Sequence, residues 1–250
     1  MEHNFRFSAR LARLGLLAPL TRRELIEVTV EADGLHSFYA VLKRGTTVAD
    51  FLDRYECVIE FIHKEGLTES YRLARGAVKK LRDEVTPIAR FVRTHAAPKD
   101  RIWFALSASS PDCHVNHEGN GLREIEVTVA QARERLNVMT ELNQTATGRG
   151  FLGLTDDAPT EDFVAKMAQP RVGYTDEEIG RSMIRAVEIC AQKKSNYQGD
   201  TLLIEAPLET FPADRWNDFQ PLLAEKAKEL AFSEVYVTGV SDREICLRIK

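Results

Sequence analysis

Cysteine is scarce and never clustered: Cys57, Cys113, Cys190 and Cys246 are the only four in 250 residues, with no C-x-x-C pair among them. That usage fits reduced thiols in a cytoplasmic protein better than a disulfide framework. Glycine (14) and proline (9) are too few for a fibrous or low-complexity chain. No apolar run approaches the roughly 18 residues of a membrane span. The longest candidates are Leu14–Leu20 and Thr201–Leu208, so no membrane partner is expected. Neither sign of charge dominates, since 34 basic against 38 acidic residues leave −4, and the molecule as a whole is not a polycation. The patterns G-x-x-x-x-G-K-[ST], H-E-x-x-H and G-x-S-x-G are absent. Without them the P-loop NTPase, zincin and α/β-hydrolase readings lose their main support. What is present is 44% hydrophobic and 29% charged, a globular balance with ample material for a core.

Residues 1–23 carry Arg6, Arg10, Arg13, Arg22 and Arg23 against one acid, Glu2. Arg-rich, acid-poor starts occur in transit peptides, but nothing here has the form of a cleavage site. The expectation is a short basic helix with Leu11, Leu14 and Leu17 on one side. Residues 25–43 read as a hairpin. Ile26, Val28, Val30 and Ala32 alternate with polar neighbours, Asp33-Gly34 offers a tight turn, and Leu35–Lys43 returns as the partner strand. Thr47 then caps a helix carrying Val48, Phe51, Tyr55, Val58 and Ile62. This makes residues 1–66 an N-terminal ββα and helical extension, with an α/β domain over 67–250.

That domain opens with a helix from Thr68 to Thr86-Pro87, where the missing donor predicts a stop or kink. Residues 71–95 hold Arg72, Arg75, Lys79, Lys80, Arg82, Arg90 and Arg93 against Asp83 and Glu84. Such a run either tracks phosphates or forms a solvated face. Strands are expected at Ile102–Ser107, Cys113–Glu118 and Leu122–Ala130, then a helix over Gln131–Asn143 and a loop to Tyr174. Thr175-Asp-Glu-Glu178 has the form of a capping box opening a helix to about Tyr197. Strand Thr201–Ala206, helix Ala213–Ala231 and strands Glu234–Val237 and Glu244–Ile249 complete the order. A meander followed by a crossover makes the fold class α/β, a mixed central sheet flanked by helices.

Gly148-Arg-Gly150-Phe-Leu-Gly153 matches G-x-G-x-x-G by letter only, because a polar helix end precedes it and no helix follows. Asp112-Cys113-His114-Val-Asn-His117-Glu118 packs five potential metal ligands into seven residues. On a strand, however, His114 and His117 point to opposite faces, which argues against zinc at Cys113, His114 and His117. Gly119-Asn120-Gly121 reads as a hairpin turn pairing Glu118 with Leu122. That register sets His114 opposite Glu126 and Asp112 opposite Thr128. One face then holds Asp112, His114, Asn116, Glu118, Glu124, Glu126 and Thr128, while Val115, Ile125, Val127 and Val129 are buried. Asp112 and Glu126 become diagonal neighbours, close enough for their carboxylates to converge on one cation, and oxygen ligands of this kind suit Mg²⁺ or Mn²⁺. The alternative on spacing alone is a wet outer face, polar because it meets water.

Pro111-Asp112, then Ile125-Glu126-Val127-Thr128 on a strand, resembles the core of the PD-(D/E)xK nuclease superfamily. The later helix ending Ala191-Gln192-Lys193-Lys194, followed by Thr201-Leu-Leu-Ile-Glu-Ala206, is similar as well. The resemblance covers about residues 75–240 and implies a restriction-endonuclease-like core. It implies a divalent-metal-dependent nuclease, with nucleic acid as partner and DNA as the expected substrate. Asp112 and Glu126 match the acids that hold the ion. Thr128 stands where the family has the lysine that positions water or stabilises charge at the phosphate. Three alternatives follow. Lys194, in line with Ile179, Met183, Val187 and Cys190, reaches the site from the later helix, although from the apolar side it must pass around an end of the sheet. Gln131, just after the strand, serves as a hydrogen-bond donor. Otherwise the site is degenerate, and the chain is a nucleic-acid-binding or protein-assembly module. Glu84 is a further candidate ligand, through water. A homo-oligomer stays open.

Overall fold

The computed structural model describes residues 34–107, 111–119, 121–130, 132–145, 152–154, 156–169, 175–194, 199–206, 216–240 and 245–250. The basic helix and first hairpin strand expected before residue 34 lie outside the described residues. Among the described residues, seven strands form one sheet in chain order. They are β1 (Thr46–Thr47), β2 (Arg101–Phe104), β3 (Cys113–His117), β4 (Gly121–Val129), β5 (Gly199–Glu205), β6 (Phe232–Thr238) and β7 (Cys246–Arg248). Neighbours from β1 to β4 are antiparallel, β4–β5 and β5–β6 are parallel, and β7 returns antiparallel on β6. The mixed sheet flanked by helices is as expected.

The second strand expected at 35–43 is instead helix. Residues 34–44 are helical (α1), because Leu35, Phe38 and Leu42 recur at helical spacing and all three bury. Gly34 takes the left-handed φ of +57° that a turn needs, but the turn leads into a helix. Thr47 caps α2 (Val48–Lys64) as expected, accepting the Asp50 N–H at 3.2 Å. Phe38, Leu42, Phe51, Val58 and Ile62 pack with Ile102, Phe104, Cys113, Val115, Ile125, Val127 and Leu203, so one core spans residue 66.

The single helix expected over 68–86 is α3 (Thr68–Arg72), a 3-10 turn (Gly76–Val78), a π-turn (Leu81–Val85) and α4 (Thr86–His95). Pro87 does not stop it, since the helix runs on to His95. Lacking an N–H for the carbonyl of Asp83, it lets the ladder slip by one residue. The Thr86 N–H reaches back to the Leu81 carbonyl, and Thr86 Oγ1 donates to the same oxygen at 2.8 Å.

Beyond the strands come α5 (Ala132–Thr145), α6 (Thr160–Ala168), α7 (Asp176–Lys193) and α8 (Trp216–Ala227). Helix α6 falls inside a stretch expected to be loop. The capping box forms, with Thr175 N–H on Glu178 Oε2 at 2.8 Å and Glu178 N–H on Thr175 Oγ1 at 3.3 Å. Met183, Val187, Cys190, Leu223 and Ala227 pack on Leu202, Ile204, Val235 and Val237, a second core on the opposite face of the sheet.

Glu134, on α5, is buried and accepts the Leu152 and Leu154 N–H groups at 2.7 and 3.1 Å. Burial pushes its carboxyl up to about 7 against the opposing pull of those donors. The folded chain therefore keeps this proton after the unfolded chain has lost it. Glu134 accordingly makes stability fall as pH rises from its ordinary value near 4.5 towards 7. Urea titrations of wild type and Glu134→Gln should differ in slope across that window, with the variant flatter. Parallel slopes would refute the assignment.

Candidate functional site

The β3–β4 register is Cys113↔Ile125, His114↔Glu124 and His117↔Gly121. The expected pairing of Glu118 with Leu122 is thus displaced by two residues, because Gly121, at φ +85°, already begins β4. A two-residue shift preserves the faces. Continued one step, it sets Asp112 directly opposite Glu126, a closer relation than the expected diagonal.

The ladder stops there. Val127 N–H would next meet the carbonyl of residue 111, yet it donates to Asp112 Oδ2 at 2.8 Å. The backbone carbonyl of Asp112 meanwhile accepts the Ala105 N–H at 3.0 Å. Asp112 thus stays with β2 through its backbone and holds β4 through its carboxylate, where the two strands part. Burial pushes that carboxyl up to about 6; the Val127 donor and Lys194 oppose the rise, and the charges of Glu126 and Glu84 add to it.

Helix α7 packs on the face of β4 that carries Glu126 and Thr128, not on the apolar side as expected. Leu202, Ile204, Val235 and Val237 make this face apolar beyond β4 and draw the helix to it. Thr128 Oγ1 lies 3.9 Å from Cys190 Sγ, and Lys194, in the turn that ends α7, forms an ion pair with Glu126. The two contacts are in register: four residues of helix rise about 6 Å, and two residues of strand about 6.6 Å. Lys194 therefore needs no route around the sheet. Glu126 is 5% exposed, which makes it a buried carboxylate rather than part of a wet outer face.

Glu84 comes from the π-turn. Lys80 Nζ donates to its Oε1 at 2.8 Å and to the Ser107 carbonyl at 3.0 Å, while Glu84 Oε2 is buried without a hydrogen-bond partner. Asp112, Glu126, Lys194 and Glu84 are thus electrostatic neighbours. Lys80 was not singled out from sequence, where it was one of seven basic residues in a run.

The basic groups of that run do not share one outward face. Arg82 and Arg90 turn inward to Glu205, Lys79 pairs with Asp83, and Arg93 pairs with Glu56. Gln131 lies outside the described residues. Cys113, His114 and His117 do not converge. Cys113 is in the core, His114 stacks on Trp103, and His117 Nδ1 meets Asp100 Oδ2 at 2.7 Å.

The oxygen donors here are of the kind a divalent cation takes. The Asp112 carboxyl is raised beside two other carboxylates, and Glu84 offers an orphaned buried oxygen. Among the described residues no three His, Cys, Asp or Glu side chains are already gathered around one point. Mg²⁺ does not require that, being held by one or two carboxylates with water and substrate phosphate completing its shell. No described helix is long and apolar enough to cross a membrane. Compared with known proteins, the chain matches no family model, no curated protein and no solved structure.

Proposed function

We propose that this chain hydrolyses phosphodiester bonds in nucleic acid, with DNA the expected substrate and Mg²⁺ or Mn²⁺ the cofactor. The observation that carries the reading is the meeting of Lys194 with Glu126 beside Asp112. A cation arrives from α7 at an acid pair whose own strand offers Thr128 in place of lysine. Asp112 and Glu126 would hold the ion, with Glu84 Oε2 as a further oxygen. When bound, the ion supplies Lewis-acid polarisation of the phosphoryl group and acidifies water. Lys194 Nζ donates towards the phosphoryl oxygens, where negative charge builds in the transition state. Asp112 has to give up its proton before it can hold the ion, so metal binding weakens as pH falls through about 6.

The test is cleavage of single- and double-stranded substrates with Mg²⁺ or Mn²⁺. Chelator-sensitive cleavage that disappears in Asp112→Ala and in Glu126→Ala is expected. Activity surviving either substitution overturns the reading.

One observation favours a second reading, a nucleic-acid-binding or assembly module. Glu126 and Glu84 each already face a lysine, Lys194 and Lys80, so part of the acidic charge is balanced without a metal. Salt-sensitive binding without cleavage, indifferent to chelation, would select it.

A further inference from the structure

The face of β2 and β3 that carries Asp112 continues away from the acids in two further rows. The first is Trp103, His114 and Glu124; the second is Arg101, Asn116 and Leu122. The opposite face of these strands is core, with Ile102, Phe104, Cys113 and Val115 all buried. The second core draws on β5, β6, α7 and α8 but takes no residue from β2 or β3. Among the described residues, then, the helix layer over Glu126 stops short of Trp103. Arg101 and Asn116 are exposed, Leu122 is 50% exposed, and Trp103 and His114 are partly exposed.

Trp103 and His114 form a stacked pair, with ring centroids 5.0 Å apart and planes 15° from parallel. No described hydrogen bond orients the imidazole, whose Nδ1 is buried without a partner, so stacking sets its position. On the β1 side, Gly45 takes the place of a side chain, and a Cβ there would come within 3.3 Å of Trp103 Cβ. The result is an aromatic stack one row from the carboxylates, with Glu124 in the same row and an exposed arginine and an exposed leucine in the next.

We propose that Trp103 and His114 are a stacking platform for an unpaired nucleobase, which makes the ligand single-stranded or locally opened nucleic acid. The proposal deepens the phosphodiesterase reading by naming its substrate class, and it rests on that reading only for the position of the phosphate. A base on the platform places its strand across the face towards Asp112 and Glu126. Paired bases keep their faces inside the duplex and cannot use it. Stacking on aromatic side chains tolerates any base, so the surface selects strandedness and not sequence.

The test uses the full chain in chelator, where no cleavage confuses binding. The probes are fluorescein-labelled oligothymidylate and oligouridylate of about twenty nucleotides, an abasic strand of equal charge, and a duplex. Trp216→Phe leaves Trp103 as the only tryptophan, and its emission should be quenched by the single strands. Trp103→Ala should bind either single strand about tenfold more weakly, with Trp103→Phe recovering most of the loss and thermal melts confirming that both variants fold. In the presence of Mg²⁺, Trp103→Ala should raise KM more than it lowers kcat. Equal affinity for the abasic strand, tighter binding of duplex, or unchanged affinity in Trp103→Ala would overturn the platform. If base-dependent binding holds but no substrate is ever cut, the hydrolytic reading fails alone.

Discussion

Glu205→Ala is expected to cost roughly 3–5 kcal/mol of folding free energy and to lower the melting temperature by about 10 °C. Glu205 is fully buried at the end of β5, where Arg82 Nη1 reaches both its oxygens at 2.8 and 2.9 Å. Arg90 adds a contact at 3.0 Å and Arg135 one at 3.3 Å. Burial works against the charge on Arg82, and Glu205 together with Tyr71 and Asp83 outweighs it, holding the guanidinium above its ordinary pKa. Alanine leaves three guanidinium groups around an empty place. Arg135 then retains Asp83 at 2.8 Å and Arg90 the Gly239 carbonyl at 3.3 Å. Those contacts lie at the rim and do not neutralise the centre. Leucine fares no better, because a buried ion cluster tolerates apolar replacement only when all its charges leave together. Urea unfolding followed by far-UV circular dichroism reads the effect; a loss below about 1 kcal/mol would show that the arginines find other partners or water.

The same cluster shows where sequence reasoning runs out. Glu205 lies 123 residues from Arg82 and 70 from Arg135. No local pattern joins them, and Arg82 and Arg90 looked like members of a solvent-facing basic run. Local signals did better where the periodicity was clean. The alternation around Ile125-Glu126-Val127 assigned the faces correctly despite a register two residues out, since a shift of two leaves every side chain on its own side. The helical stripe Ile179, Met183, Val187, Cys190 and Lys194 aimed the lysine correctly. The error lay in the side of the sheet. β4 read alone has one polar face, whereas Leu202-Leu203-Ile204 is an unbroken apolar run of a strand covered on both sides. That run was the available sign that a helix would lie over Glu126. Residues 34–44 depart from expectation for a different reason: Asp33-Gly34 reads as the turn of a hairpin, although Leu35, Phe38 and Leu42 also fit a helix. The π-turn that presents Glu84 depends on how the chain answers the donor missing at Pro87, and stop, kink and slip all satisfy the sequence equally well.

Lys194→Ala is expected to lower the rate of phosphodiester cleavage by on the order of 10²-fold or more, the loss that follows removal of one well-placed donor to a developing anion. Lys193→Ala is the matched control. Its side chain is 53% exposed and its ammonium makes one long contact, to Asp156 at 3.4 Å, so its removal should change the rate by no more than a few-fold. The sharper test puts the lysine back by another route. Thr128 is two residues beyond Glu126 and points to the same face. Its hydroxyl already touches Cys190, one helical turn before Lys194. In a Lys194→Ala background, Thr128→Lys would send an ammonium along the space the native side chain has left, towards the same carboxylate. Recovery of at least tenfold over Lys194→Ala alone is expected, provided circular dichroism shows both variants folded. Rescue would mean that the site needs a cation at one point in space and is indifferent to the element that supplies it. Full activity in Lys194→Ala would show instead that the ion pair with Glu126 is purely structural. The acids would then act without this lysine or not at all, and the module reading would gain what the hydrolytic one lost.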